Sequence, residues 1–131
     1  MTESDAVRAA NLDFYRAFTM GDVPGMDRIW ARKAMVLCTH PGWLPLSGRA
    51  AVMESWRNIL ANPKAPAVMC HDDEAFLYGE IALVLCEEEL SGGHLAATNV
   101  FIKEDGDWRL MHHHASPILT RDPSLRRRRF N

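Results

Sequence analysis

The sequence predicts a single α+β domain, and three observations carry that reading. Apolar side chains recur at helical spacing through the first half of the chain. Residues 67–118 instead alternate in strand fashion, broken by short glycine-containing turns at Gly79-Glu80 and Asp105-Gly106. No repeat or internal linker divides the 131 residues, a length suited to one domain with its own core. The expected order is α-α-β-α-β-β-β-β, with the helices on one face of a mainly antiparallel sheet.

The first helix is expected over about residues 4–20. Thr2 or Ser4 caps its start, and Gly21 closes it in a left-handed conformation. Val7, Ala10, Phe14, Ala17 and Phe18 form one apolar stripe, with Tyr15 flanking it so that its hydroxyl can enter whatever the helix covers. A short second helix follows from Pro24 to Ala31, capped by Asp22 and opened by proline in its first turn. A third begins after Ser47 and ends before Pro63, with Val52, Trp56 and Ile59 inward.

The strands begin with residues 34–40, which run into a turn at Pro41-Gly42. Residues 67–79 and 80–90 form one pair. Residues 92–105 and 107–116 form another, joined at Asp105-Gly106. Strand alternation places Trp108, Leu110, His112 and His114 on the inner face and His113 on the outer one. For the preceding strand the register depends on the loop. A three-residue loop with a glycine bulge turns Thr98, Val100 and Ile102 inward, whereas a two-residue loop turns Asn99 and Phe101 inward. The first is the expected register. It leaves Phe101, Met111 and His113 outside, a face apolar enough to call for a covering partner.

Composition narrows the function classes. An apolar share of 47% and a charged share of 24% fit a soluble globular protein. No apolar run is long enough to span a bilayer, and the acidic start does not read as a secretion signal. A cytoplasmic protein without membrane partners is therefore expected. Cys38, Cys70 and Cys86 are odd in number and lack CxxC spacing, which favours buried thiols over disulfides or a zinc site. Residues 121–131 hold five arginines against one aspartate, so the remainder is net acidic. That balance argues against nucleic acid as a partner. The boundary is placed between a domain at 1–119 and an Arg-rich tail at 120–131 containing Arg126 to Arg129.

Three stretches carry a family resemblance: "CTHPGW" (38–43), "LSGRAAVMESWRNIL" (46–60) and "EDGDWRLMHHHASP" (104–117). Together they resemble the SnoaL-like domain of the nuclear transport factor 2-like superfamily, over about residues 5–118. The resemblance implies a cystatin-like cone: a strongly curved sheet wrapped around three helices, with a central pocket. It also implies a homodimer joined through the outer sheet face. The superfamily includes isomerases, polyketide cyclases, dehydratases and non-catalytic binding modules, so the fold alone selects no reaction.

By the same resemblance, His40 stands where steroid isomerases carry a carboxylate base, and Tyr15 stands for their first-helix tyrosine. Their second oxyanion donor falls at or beside Thr98, where no carboxylate is present, so a strict steroid isomerase is not expected. An imidazole at a pocket mouth can still move a proton near neutral pH. The catalytic candidates are therefore His40, Tyr15 and His114. Trp43 and Trp56 can wall an apolar ligand, while His112, Thr98, Asn99 and Glu88 can line the pocket. Asp72 or Glu88 is a candidate pocket acid with a raised pKa, since strand alternation directs one residue of each acidic run, 72–74 and 87–89, inward. His40, His112 and His114 could converge on a metal, but spacing fixes no acidic partner, and neither metal nor cofactor is expected.

Three functions follow as expectations. The first is a small-molecule-binding domain taking an apolar, aromatic or polycyclic carbonyl compound. The second is a cofactor-independent isomerase, cyclase or dehydratase using His40 as general acid or base. The third is a dimerisation or assembly module.

Overall fold

The computed structural model describes residues 1–65, 67–122 and 124. The Arg126–Arg129 run lies outside the described residues. Three helices, α1 (Glu3–Met20), α2 (Val23–Ile29) and α3 (Arg49–Ala61), pack on a six-stranded sheet. Its strands are β1 (Leu37–Thr39), β2 (Leu46–Ser47), β3 (Met69–Tyr78), β4 (Ile81–Leu90), β5 (Gly93–Glu104) and β6 (Asp107–Pro117), ordered β2-β1-β6-β5-β4-β3. All pairs are antiparallel except β1 with β6. Strand β2, two residues long, is the element absent from the expected order.

Thr2 caps α1. Its hydroxyl accepts from the Asp5 N–H while Asp5 returns a bond to the Thr2 N–H, a capping box. Gly21 ends the helix at φ 64°, a conformation costly to any residue with a Cβ. The face α1 turns to the sheet carries Val7, Asn11, Phe14 and Tyr15, all buried. Val7, Asn11 and Phe14 fall three or four residues apart, and Tyr15 lies four residues from Asn11, about one turn each. Asn11 was not among the expected stripe residues. The guanidinium of Arg49, at the start of α3, donates to the carbonyls of Asp27, Trp30 and Ala31 and to the Asp27 carboxylate. It thereby ties the end of α2 to α3. Trp30, Trp56, Phe14, Phe101, Met26 and Leu110 fill the centre of the core.

The β5–β6 hairpin overturns the expected register. Glu104 pairs with Asp107, so the loop has two residues, and Asp105 and Gly106 both take positive φ (51° and 85°). That is the type I′ geometry that Asp-Gly favours because it matches strand twist. Ala97, Asn99 and Phe101 consequently face the helices, and Thr98, Val100 and Ile102 face away.

A second correction follows one turn later. Leu110 points inward as expected, opposite Phe101, but the register then slips, and Val100 pairs with His112. Met111 is the extra residue of a bulge, and it reverses the alternation beyond it. His113 therefore pairs with Asn99 on the inner face at 1% exposure, while His112 and His114 lie on the outer face. The expected placement of Thr98, His112 and His114 inside is thus wrong, as is that of Phe101 and His113 outside. The outer face does carry an apolar row, made instead by Val100, Leu83 and Phe76 across β5, β4 and β3, with His112 of β6 standing between it and Leu37 of β1. Trp108, expected in the core, is half-buried, with Lys103 Nζ 5.7 Å from its ring centre.

The acidic runs of β3 and β4 do not face one another. Cys70, His71 and Met69 pair with Glu88, Glu87 and Glu89, and a bulge then displaces Asp72 (φ 55°) and Asp73. His71 binds Glu89, and both His94 and Arg121 bind Glu87. Like charges are thereby kept from direct cross-strand opposition.

Glu104, at the end of β5, is 6% exposed and accepts from three successive backbone N–H groups, those of Arg32, Lys33 and Ala34, at 2.8–2.9 Å. Burial alone raises its pKa, but these donors and Arg109 outweigh burial and hold it below the ordinary carboxylate value of 4.5. We predict that Glu104→Ala lowers stability by about 2–3 kcal/mol in urea denaturation at pH 7, because three buried donors lose a charged acceptor. Glu104→Gln, which keeps the shape and one oxygen, loses less. The wild-type advantage over both shrinks as pH falls through the depressed pKa of Glu104, where the carboxylate is protonated.

Candidate functional site

The inner face of the sheet is apolar near the β5–β6 turn and polar at its middle. Cys38 pairs with His113, His113 with Asn99, and Cys70 with Glu88. Strand alternation brings Cys86 to the same face as Glu88. Helix α1 lays Asn11 and Tyr15 against this patch, one turn apart.

The result is a buried network drawn from α1, β4, β5 and β6. Tyr15 Oη donates to Glu88 Oε2 at 2.6 Å and lies 3.3 Å from Cys86 Sγ. Asn99 Nδ2 donates to Asn11 Oδ1 at 2.9 Å and to Tyr15 Oη at 3.0 Å. Asn99 Oδ1 lies 2.5 Å from His113 Nδ1. Asn11 Nδ2 reaches Cys70 Sγ at 3.6 Å. Tyr15, Glu88, Asn99, His113 and Asn11 are all at most 3% exposed.

His113 Nε2 and Glu88 Oε2 are 3.8 Å apart, inside ion-pair range. Burial nevertheless works against charge on both members. Burial pushes the His113 pKa down to about 3 and raises that of Glu88, the Tyr15 bond pulling the latter only partly back. Burial, reinforced by the Glu88 carboxyl, also raises the Tyr15 hydroxyl pKa. Near neutral pH the patch thus holds an uncharged imidazole and a protonated phenol beside a carboxyl group whose pKa burial raises.

His40 belongs to a neighbouring group. Its carbonyl accepts from the Trp43 N–H at 2.9 Å, closing a turn over Pro41 and Gly42, the latter at φ 81°. Proline followed by a positive-φ glycine is the type II pattern. The ring of His40 is 4% exposed, with Nε2 2.8 Å from Ser55 Oγ. The Ser55 hydroxyl donates to the Val52 carbonyl, so His40 Nε2 is the donor to Ser55 and Nδ1 carries the lone pair. Burial holds the His40 pKa at about 4. The Trp56 ring touches both imidazoles, its centre 4.8 Å from His40 and 5.9 Å from His113. Its Nε1 is buried without a hydrogen-bond partner among the described residues, as are those of Trp30 and Trp108 away from this patch.

Of the expected site residues, Tyr15, Glu88, Asn99, Trp56 and His40 meet inside the core. Trp43 covers the His40 ring at 4.8 Å but is itself 47% exposed. His114, His112 and Thr98 stand on the opposite side of the sheet from His40, so His40 and His114 do not converge. Among the described residues no group of three His, Cys, Asp or Glu side chains is placed to hold a metal ion, and no helix is long and apolar enough to cross a membrane. His113 and Asn11 were missed. The Asp-Gly turn signals the parity that buries Asn99, but no residue pattern marks the bulge at Met111 that selects His113 over its neighbours.

Two cavities reach the edge of the network, one at Asn11 and Cys70 and the other at Cys86. The first has a volume of about 330 Å³, lies between α1 and β3, and is lined by Arg8, Asn11, Leu12, Cys70 and Asp73 among others. The Arg8 guanidinium holds the Asp73 carboxylate across it by two bonds of 2.9 and 3.3 Å. A larger groove of about 680 Å³ runs over the outer side of α1 and α2, and the cavity at Cys86, of about 490 Å³, lies by the C-terminal segment. None of the three is lined by Tyr15, Glu88 or His113.

The α+β cone, a curved mainly antiparallel sheet packed on three helices, defines the class as nuclear transport factor 2-like. Within it, the chain belongs to the SnoaL-like domain family, whose model matches residues 7–120. It is similar to a candidate dehydratase of the nuclear transport factor 2-like family from Streptomyces avermitilis, with 35% identity and a TM-score of 0.82 over 90% of this chain and 97% of that one. It is also similar to a candidate calcium/calmodulin-dependent protein kinase type II association domain from Thiobacillus denitrificans, at 32% identity and a TM-score of 0.76 over 85% and 94%. Among curated proteins it resembles the F-box protein SKIP8 of Arabidopsis thaliana, 27% identical over 122 residues. That match takes in 92% of this chain but 53% of the relative, so the chain spans about half the length of the curated protein.

Two buried neutral histidines have a consequence for acid stability. In the unfolded chain they take up protons below their ordinary value of 6.5, whereas in the folded chain they do so only near pH 4 (His40) and 3 (His113). Between those limits the unfolded state binds more protons, so stability falls as pH falls. We predict a loss of several kcal/mol, about 3 from His40 alone, between pH 6.5 and 4 in urea denaturation. A stability that stays flat over that interval contradicts the neutral assignment of both rings.

Proposed function

We propose that this domain binds a small carbonyl or hydroxy compound against the inner network, and that Tyr15, Glu88 and His113 handle its protons. The observation carrying this reading is the Tyr15–Glu88 bond itself. A carboxyl group sits 2% exposed, bonded to a phenol rather than to a cation, and burial raises its pKa above the ordinary carboxylate value. A core needs no such group. Burying a carboxyl costs free energy that an apolar side chain would not, and perturbed acids of this kind concentrate where chemistry is done.

Phe14, Phe18 and Trp56 form an aromatic wall beside the network, suited to a ring. The unpaired Trp56 Nε1 is a donor for a ligand oxygen. Access runs through the cavity between α1 and β3, whose inner wall includes Asn11 and Cys70.

The reaction class that uses this set is loss of water beside a carbonyl, in keeping with the dehydratase relative. Neutral Glu88 delivers a proton to the departing hydroxyl, which leaves as water. Neutral His113 takes a proton from the neighbouring carbon as the double bond forms. Return of that proton from His113 to Glu88 resets the pair. Trp56 lies against both rings, so His40 serves as second-layer support to this site, fixed to α3 through Ser55.

The apolar row on the outer face supports a second copy of the chain as protein partner. Leu83, Val100 and Phe76 are half-buried there in the single chain, and Leu37 is 39% exposed. An isologous contact would cover them. The association-domain relative is in keeping with assembly by this fold.

Native mass spectrometry of freshly purified protein tests both parts. The expected result is a dimer carrying a small organic adduct. Glu88→Gln and Tyr15→Phe should each weaken rebinding of that adduct at least tenfold, about 1.4 kcal/mol, while leaving the dimer intact. Unchanged affinity in both variants would remove the network from the binding reading. Val100→Arg should give a species of single-chain mass in sedimentation velocity with the far-UV spectrum of the wild type. A dimer persisting in that variant places the contact elsewhere.

A further inference from the structure

The hydrogen-bond directions inside the network are determined by one residue. An Asn side chain has two N–H donors and one carbonyl acceptor. Both donors of Asn99 are spent, one on Asn11 Oδ1 and one on Tyr15 Oη. Only its carbonyl oxygen is left for His113, and a carbonyl oxygen accepts. The proton in the 2.5 Å contact therefore belongs to His113 Nδ1.

A neutral imidazole carries a single N–H. With Nδ1 protonated, Nε2 holds the lone pair, and Nε2 is the nitrogen 3.8 Å from Glu88 Oε2. Tyr15 is oriented by the same amide. Its oxygen accepts from Asn99, so its proton is free to donate to Glu88. The chain reads, donor to acceptor, from Asn99 through Tyr15 to Glu88 on one branch and from His113 to Asn99 on the other.

We infer that Asn99 is a positioning residue that locks His113 in the Nδ1–H tautomer and so leaves Nε2 as the proton acceptor facing Glu88. Asn11 backs it by accepting one amide proton. Without that bond the Asn99 side chain could turn over and present a donor to His113 Nδ1, exchanging the two ring nitrogens. The bulge at Met111 brings His113 opposite Asn99, and the Asp105-Gly106 turn brings Asn99 inside, so both features serve this one contact. The purpose of the locked tautomer rests on the acid–base reading proposed above. The tautomer itself does not, because it is measured without any ligand.

Long-range ¹H–¹⁵N correlation spectra of the full chain labelled at histidine decide the matter at pH 7. His113 is identified by the signals that vanish in His113→Gln. The expected wild-type pattern is a protonated-type Nδ1 and a lone-pair-type Nε2. Asn99→Asp, which keeps an acceptor for Nδ1–H, should retain that pattern. Asn99→Leu, which removes the acceptor, should lose it and give the other tautomer or a mixture. A wild-type spectrum with the proton on Nε2 overturns the inference whatever the variants do. So does an unchanged tautomer in a folded Asn99→Leu. If that variant does not fold, the wild-type and Asn99→Asp spectra carry the decision. Failure of ligand binding with the expected tautomer would remove the functional proposal and leave Asn99's role in place.

Discussion

The contact between Asn99 and His113 is the constraint around which the interior is arranged. Neither residue would be inside by hydrophobicity. Asn99 is there because the Asp105-Gly106 turn has two residues, and His113 is there because Met111 bulges. Once both are buried, every remaining polar atom must find a partner, since an unpaired buried donor or acceptor costs about 1–3 kcal/mol. Asn11 and Tyr15 supply those partners from α1, one helical turn apart. Helix and sheet are therefore registered by hydrogen bonds as well as by the packing of Phe14 and Phe101.

The same burial sets the chemistry. In water Glu88 would be ionised and the imidazoles would titrate near neutrality. Within the core, loss of hydration disfavours every charged form, so the phenol and imidazole remain neutral and the Glu88 pKa is raised. Glu104 shows the contrast. It is also buried, yet three backbone N–H groups surround its carboxylate and keep it charged. Two glutamates with similar exposure thus have pKa values shifted in opposite directions, because one meets donors aligned by the backbone and the other meets a phenol. The first holds the segment after α2 against the sheet.

Much of the architecture was legible from local patterns. The capping box at Thr2 and Asp5, the αL Gly21, Asp22 ahead of α2 and the Asp-Gly turn each act within a few residues, so spacing suffices to find them. Family resemblance supplied the cone and pointed to Tyr15, while strand alternation pointed to Glu88, and both meet in the network. The three consecutive histidines defeated the reading, because any single register slip exchanges which of them faces inward. The bulge has no signature among Leu110, Met111 and His112. Asn11 was passed over because a polar residue on an apolar stripe looks like an interruption until its partner across the core is known.

The sequence by itself therefore determined the order of elements, the caps and turns, the acidic balance of the domain and the helical face presented to the sheet. These depend on interactions between residues close along the chain. Only the tertiary structure decided which histidine is buried, which ring nitrogen meets Asn99 and why the Glu88 pKa is raised. Those outcomes depend on strand register and on desolvation, and both are set jointly by residues as far apart as Asn11 and His113.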